Sequence, residues 1–302
     1  MRTTVVGGGV IGLSCAFRLA EAGHEVTVVT ADAPEDTTST VAGGLIYPRA
    51  VEPAAGGDRW TAASVAEFTA LAEVDGSGVR LLLGRMLRRA ARPMPSWAAA
   101  VGGMIRHEAS GPWVDALEFR PPLVDTGRYL GWLAGAAARL GVRTEYREIA
   151  ALHEVLADAD LVVNAAGLRG GRLAGDDSVV PARGQVVHIA DPGLTEWAVD
   201  EDDFSYVLPH GGHVVCGGTE EQGVADRVPD PRTTEDILRR CAQLVPEIAG
   251  AEVLDVRVGL RPTRPQVRLD RTGDVIHCYG HGGSGITLSW GCADEVTTLA
   301  SS

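Results

Sequence analysis

Residues 3–32 read TTVVGGGVIGLSCAFRLAEAGHEVTVVTAD, and the fold turns on them. Thr3 to Val6 is a short β-branched run that predicts a buried strand. Gly7, Gly9 and Gly12 follow in G-x-G-x-x-G spacing. Ile11, Cys15 and Leu19 then recur on one face of a helix that Gly23 stops. Residues 25–29, EVTVV, read as a second strand with Asp32 just beyond it. Each glycine has a physical task here. Gly7 permits the tight turn, Gly9 lets a pyrophosphate approach the backbone, and Gly12 lets helix and strand pack closely. The helix N-terminus offers unpaired N–H groups to the phosphates. Asp32 falls 20 residues after Gly12, where an acid can hydrogen-bond a ribose hydroxyl and disfavours a 2′-phosphate. The unit predicts a dinucleotide site. By itself it does not separate NAD from FAD. The next stretch, PEDTTSTVAGGLIYP, puts four hydroxyl residues, Thr37, Thr38, Ser39 and Thr40, ahead of Gly43 and Gly44. Such a loop can serve phosphate and ribose oxygens, or be an ordinary polar loop.

A chain of 302 residues exceeds a typical single core, so one large or two interleaved domains are expected. The net charge of −13 argues against nucleic acid and anionic membranes as partners. All 27 basic residues are arginine, which excludes a pyridoxal Schiff base and a P-loop lysine. The five cysteines, Cys15, Cys216, Cys241, Cys278 and Cys292, form no C-x-x-C pair. Their odd number and isolation predict a reducing, cytoplasmic setting, no disulfide framework and no metal centre. No leader is expected ahead of a strand that begins by Thr3, and no apolar run reaches membrane-spanning length.

Residues 62–92 read as helical, with RMLRRAAR (85–92) as a solvated helix face. EFRPPLVDT (118–126) predicts a strand ending in a turn. Residues 126–142 predict an amphipathic helix with Tyr129, Leu130, Leu133 and Ala137 inward. RTEYREIAAL (143–152) and DADLVVNAAG (158–167) read as strands, the second ending in small residues as a parallel strand does beside a cofactor. From about residue 181 alternating strands with turn residues dominate, interrupted by one helix, TTEDILRRCAQLVPEI (233–248), which Thr233 or Thr234 can cap. The expected architecture is therefore α/β plus α+β. A Rossmann-like nucleotide domain (1–50, 128–180 and 262–302) is interleaved with an antiparallel-sheet substrate domain (51–127 and 181–261), enclosing a site at their junction.

GGGVIGLS, TTSTVAGGL, ARGQ, SYVLP, GLRPTRPQVRLD and HCYGHGGSGITLSWG stand in the order found in the D-amino-acid oxidase family, which the chain resembles over most of its length. The resemblance implies FAD as cofactor. It implies oxidation of D-amino acids to imino acids, which hydrolyse to 2-oxo acids and ammonia, with O2 reduced to hydrogen peroxide. A small-molecule D-amino acid and O2 are the expected partners, and a homodimer is one possible assembly. Carried over by motif, Gly7, Gly9, Val10, Ile11 and Gly12 resemble the pyrophosphate and adenosine site, and Thr37, Thr38 and Ser39 its phosphate contacts. Gly44 and Leu45 resemble backbone donors to the isoalloxazine, with Gly43 beside them among the cofactor-binding residues, and Ile149 resembles a backbone contact to adenine. Arg261 matches the arginine for the substrate carboxylate, Tyr206 a tyrosine that joins it, and Gly283 is placed with them.

Two departures stand out. Vertebrate members carry a second tyrosine on a lid four residues before the first, and here that position is Asp202. Arg49 follows IYP where an aromatic is expected, and a cation pointing into the pocket there would favour acidic substrates. Within the broader flavoprotein group, a glycine or secondary-amine oxidase remains an alternative, as does a non-catalytic dinucleotide-binding protein.

The C-terminal run places four glycines, Gly280, Gly282, Gly283 and Gly285, just before a helical pattern. Reduced flavin carries negative charge over its pyrimidine end. Bare N–H groups of Gly282, Gly283, Gly285, Ile286 and Thr287 at a helix start would offset that charge, so the run is expected to cradle the ring. No protein base is obvious. His281 is a candidate by type, with backbone positioning as the expected role.

Overall fold

The computed structural model describes residues 1–47 and 56–302. Arg49 therefore lies outside the described residues. Most strands join one large sheet with a parallel wing and an antiparallel wing.

In the parallel wing the spatial order is Val275–His281, Leu161–Asn164, Arg2–Val6, Glu25–Thr30, Arg143–Tyr146. Every pair in it is parallel. Arg2–Val6 has its successor on one side and Leu161–Asn164 on the other, so the strand order reverses at its carboxyl end. In open α/β sheets that switch point is where ligands bind, and Gly7–Gly9 form the turn there. The helix Val10–Glu21 follows, buried at Ile11, Cys15 and Leu19 and also at Val10, Leu13 and Ala16. It packs against the last helix, Gly285–Ala300, and against Thr126–Arg139. The last helix in turn meets Gly57–Leu71, where a Cβ on Gly291 would collide with the Trp60 backbone.

The antiparallel wing is built on Val180–Ala190 against the 20-residue strand Val253–Thr272. The first half of that long strand pairs with Val180–Ala190, and its second half with Val275–His281 after a register shift between Thr263 and Arg268. One strand thus stitches the two wings together. Beyond Val180–Ala190 lie His213–Gly217, Ser205–Pro209, Trp197–Asp200 and Gly84–Arg88.

Several sequence expectations are corrected. The helix predicted over 62–92 ends at Leu71, and RMLRRAAR begins on the strand Gly84–Arg88. The burial there alternates with the two-residue period of a strand: Met86 and Arg88 point inward, Arg85 outward. Arg88 is 1% exposed and bidentate to Asp115, with both N–O distances 2.6 Å, so it is a core ion pair and no part of a solvated face. Arg120–Pro121 divides the segment 115–124 into two strands. The strand expected over 143–152 stops at Tyr146. The helix Pro231–Leu244 is capped by Asp230, whose carboxylate accepts from the N–H groups of Arg232 and Thr233, because Pro231 takes the first helical position. Tyr129, Leu130, Leu133 and Ala137 are inward as predicted. No helix among the described residues is long and apolar enough to cross a membrane.

Candidate functional site

A cavity of about 470 Å³ opens over the switch point and runs on under the antiparallel wing. Nearly all the predicted site residues line it: Gly7, Gly9, Val10, Ile11, Asp32, Thr37, Thr38, Ser39, Gly43, Gly44, Leu45, Ile149, Tyr206, Arg261, Gly282, Gly283, Gly285, Ile286 and Thr287. Gly12 stands behind the lining. A Cβ there would collide with the Gly7 carbonyl, which is the helix–strand approach expected of it.

At the first helix the Val10 N–H donates to Ser39 Oγ at 3.1 Å, so the hydroxyl loop lies against the helix N-terminus. Thr38 Oγ1 donates to the Leu260 carbonyl at 3.1 Å and ties the same loop to the long strand. Thr40 turns away into the core and donates to the Glu35 and Thr37 carbonyls. At the other end of this region the Asp32 carboxylate meets Arg169 at 3.3 Å, and Arg169 also reaches Glu148 at 3.8 Å. Sequence reasoning missed Arg169, because nothing in the local pattern places residue 169 beside residue 32.

The segment Gly43–Leu45 is fixed from several sides. Val124 N–H donates to the Gly44 carbonyl at 2.9 Å, and Thr126 Oγ1 to the Thr40 and Ala42 carbonyls. His210 Nε2–H donates to the Gly43 carbonyl at 3.1 Å. Burial pushes the His210 pKa down to about 4, so its ring is neutral at pH 7. Gly44 has φ +82 and no room for a Cβ against the Val124 carbonyl, so a glycine is required there.

Arg261 and Tyr206 are brought together. Arg261 Nη1 donates to the Thr219 carbonyl at 2.8 Å, and its guanidinium lies over the Phe204 ring, 5.8 Å from the centroid. Phe204 and Tyr206 are edge to face at 5.9 Å. Three glycines make room for this group. A Cβ on Gly184 would occupy the Arg261 guanidinium, and one on Gly217 or Gly218 would run into the Tyr206 ring. ARGQ and CGGT hold those glycines in the sequence, but only the fold shows what they accommodate.

The glycine run answers to two different demands. Gly280 has φ +86 and Gly282 φ +53, conformations that favour glycine. Gly283 and Gly285 have neither a positive φ nor a crowded Cβ position: the nearest atoms are 3.5 Å away at Arg261 and 3.9 Å at His281 and Val10. Gly9 has φ −78, and a Cβ there would meet only Ser39 Oγ, at a tight 3.2 Å that a small shift of that side chain relieves. The protein itself does not need these three glycines, and all three face the cavity. A bound group that touches backbone there does need them. The last helix begins at Gly285, as predicted, with its N-terminus turned to the cavity.

His281 also lines the cavity, and burial pushes its pKa down to about 4. A ring so reluctant to hold a proton is a poor acceptor for one from an ammonium group. The fold brings Cys278, His281 and Cys292 together, with ligand atoms within 4.8 Å of one another. Sequence spacing gave no sign of a metal cluster, since these residues come from a strand and a helix that meet only in three dimensions. Against the lowering effect of the Cys15 thiol, the Cys292 thiol and burial together push the Cys278 pKa well up, which keeps that thiol protonated.

The family model described as FAD dependent oxidoreductase matches residues 2–299. The D-amino-acid oxidase of Rubrobacter xylanophilus is 43% identical, with 99% of this chain and 95% of the relative covered. The D-aspartate oxidase of Homo sapiens is 33% identical over 99% of this chain and 94% of its own. Among solved structures, glycine oxidase from Bacillus cereus superposes with a TM-score of 0.82 at 20% identity, covering 99% of this chain and 96% of that one, a likeness of fold alone. With its glycine-lined cavity at the switch point and a match spanning nearly every residue, the chain belongs to the FAD-dependent oxidoreductase family.

Proposed function

We infer that this chain is an FAD-dependent oxidase of D-amino acids, yielding imino acids that hydrolyse to 2-oxo acids and ammonia, with O2 reduced to hydrogen peroxide. The carrying observation is the placement of Arg261 and Tyr206 at the end of the cavity that Gly283 also lines. Identity of 43% to a D-amino-acid oxidase over nearly the whole chain supports the same reading.

The residues fit the cofactor. The N-terminus of Val10–Glu21, with Gly7, Gly9 and Ser39, would hold the pyrophosphate, Asp32 a ribose, and Ile149 the adenine. Gly43–Leu45 and Gly282–Thr287 would hold the ring system. When bound, FAD accepts a hydride from the substrate Cα and passes the electrons on to O2. The parallel wing is then the cofactor-binding part and the antiparallel wing the substrate-binding part.

The chain's own contribution is orientation. Arg261 presents a planar fork to the α-carboxylate, a bidentate match that fixes the substrate. Tyr206 supplies a hydroxyl beside it. With the carboxylate fixed, the enantiomer that reacts is set by where the site then admits the amine and the side chain. No side chain is needed as base when the amine enters unprotonated, in keeping with the low proton affinity of His281.

The test is direct. Purified protein should be yellow, and its flavin absorption should bleach anaerobically with D-alanine or D-valine. Peroxide release should follow in air. Bleaching by glycine or sarcosine alone would move the assignment to a glycine or secondary-amine oxidase. Colourless protein that binds no FAD would remove the oxidase reading altogether.

A further inference from the structure

The proposal here rests on the D-amino-acid reading and concerns which side chains the site accepts. We propose that Phe204 is a fixed aromatic wall at the substrate end, selecting D-amino acids with apolar side chains over those with a second carboxylate. The position matched to the family's lid tyrosine, Asp202, is turned away to pair with Arg92 and with the backbone N–H of Arg89. Phe204, two residues on, lines the cavity in its stead.

Phe204 has φ +50, in the left-handed region, and is the only non-glycine residue described with a positive φ. A bulky side chain is held there only where the surroundings over-determine it. They do so here. The Gly218 N–H donates to the Phe204 carbonyl at 2.8 Å. The Asp200 carboxylate accepts from the N–H groups of Asp202 and Asp203, each at 3.1 Å. Arg240 donates to the Asp203 carbonyl, Ser205 Oγ and the Gly218 carbonyl. A turn pinned at every position is a wall, and it lacks the freedom of a swinging lid.

The ring's surroundings decide the selectivity. Phe204 shares the cavity lining with Val199, Tyr206 and Leu208, while its own face carries the Arg261 guanidinium. Arg261 is committed to the α-carboxylate. A second carboxylate set against Val199, Phe204 and Leu208 would be stripped of water by apolar groups, which is costly unless a cation reaches it. An apolar side chain gains contact there instead. Arg227 also borders the cavity, from an exposed loop, and is the cation that would serve a second carboxylate if one were accepted.

The test is a substrate panel and a ligand panel on the holoenzyme. Wild type should oxidise D-valine and D-leucine with kcat/KM at least about tenfold above D-aspartate and D-glutamate. Phe204→Ala should lower that ratio by about tenfold, and Phe204→Leu, which keeps an apolar wall, by less than about threefold. Losing the ring against Arg261 weakens every α-carboxylate alike, so the ratio isolates the wall. Benzoate and malonate, followed through the flavin absorption, read the same selectivity without turnover. If no D-amino acid is oxidised yet benzoate still outcompetes malonate in a Phe204-dependent way, the oxidase reading fails and the wall stands. A wild-type preference for dicarboxylic substrates, or a ratio unmoved by Phe204→Ala, overturns the wall and shifts selection to Arg227.

Discussion

Arg261 and Gly184 are diagonal neighbours on adjacent strands, and the guanidinium fills the space a side chain at residue 184 would take. A single methyl there displaces the tip of Arg261 without touching the cofactor cradle. Gly184→Ala should therefore raise KM for D-amino acids by about tenfold or more, a positioning loss of the kind a small misplacement causes. Flavin content should be unchanged. Steady-state kinetics beside the flavin-to-protein absorbance ratio checks both halves.

Arg261→Leu should leave a folded, yellow protein. Its kcat/KM on D-amino acids should fall by about a hundredfold or more, ~3 kcal/mol of lost transition-state binding. Tyr206→Phe removes one hydrogen bond and keeps the ring, so ~1–2 kcal/mol is expected. Benzoate affinity should drop in parallel in Arg261→Leu, and near-normal KM for D-alanine in that variant would remove Arg261 from the site.

Three glycines of the first loop should separate by phenotype. Gly7 has φ +120 with no room beside the Ala165 carbonyl, and Gly12 none beside Gly7, so Ala at either should impair folding. Gly9 is extended and a Cβ there would press only on the Ser39 hydroxyl, at 3.2 Å, which a small side-chain shift relieves, so Gly9→Val should fold and yet lose its flavin. Circular dichroism together with flavin content distinguishes the two classes.

The Arg88–Asp115 pair makes a stability prediction. Asp115→Ala leaves a guanidinium buried without its carboxylate and should cost ~3–5 kcal/mol. Arg88→Met with Asp115→Leu removes both charges and should recover most of that loss. Denaturant unfolding of the three proteins measures the difference.

Acid should destabilise the fold through its buried histidines. His188, His210 and His281 are each pushed down to about 4, chiefly by burial. Between pH 6.5 and 4 the unfolded chain binds protons that the folded histidines refuse, so their contribution to stability is lost as pH falls across that window and changes no further below it. Each group contributes ~1.4 kcal/mol per pH unit at most. Thermal midpoints from pH 7.5 to 4.5 should show the slope, and His210→Gln, which keeps a donor for the Gly43 carbonyl, should flatten it.

What the sequence disclosed was local chemistry with one reading. A β-branched run, spaced glycines, a helical pattern and a terminal acid form one continuous unit, so the nucleotide half could be read from residues 3–32 alone. The glycine run before Gly285 was legible for the same reason. RMLRRAAR was not, because four arginines suggest solvent until Asp115 is seen to neutralise Arg88 from a strand 27 residues away. Thr233 and Thr234 resembled caps until Pro231 moved the helix start to Asp230. Gly184, Gly217, Gly218 and Phe204 take their meaning from side chains that reach them across strands, and pairing across strands leaves no trace in local spacing.

The long strand Val253–Thr272 has one further consequence. Arg261 lies two residues before Thr263, which is paired with His281, and the glycine cradle follows at once. The proposed substrate anchor and the proposed cofactor cradle are thus separated by a covalent ruler of a few residues and a shared backbone ladder. Two domains meeting at a hinge could spread to admit a ligand, but here any such spreading would have to tear a continuous sheet. Substrate and product must therefore come and go through the mouth of the cavity. The rate of their exchange belongs to the rim, while the spacing between Arg261 and the glycine run is held by the sheet itself.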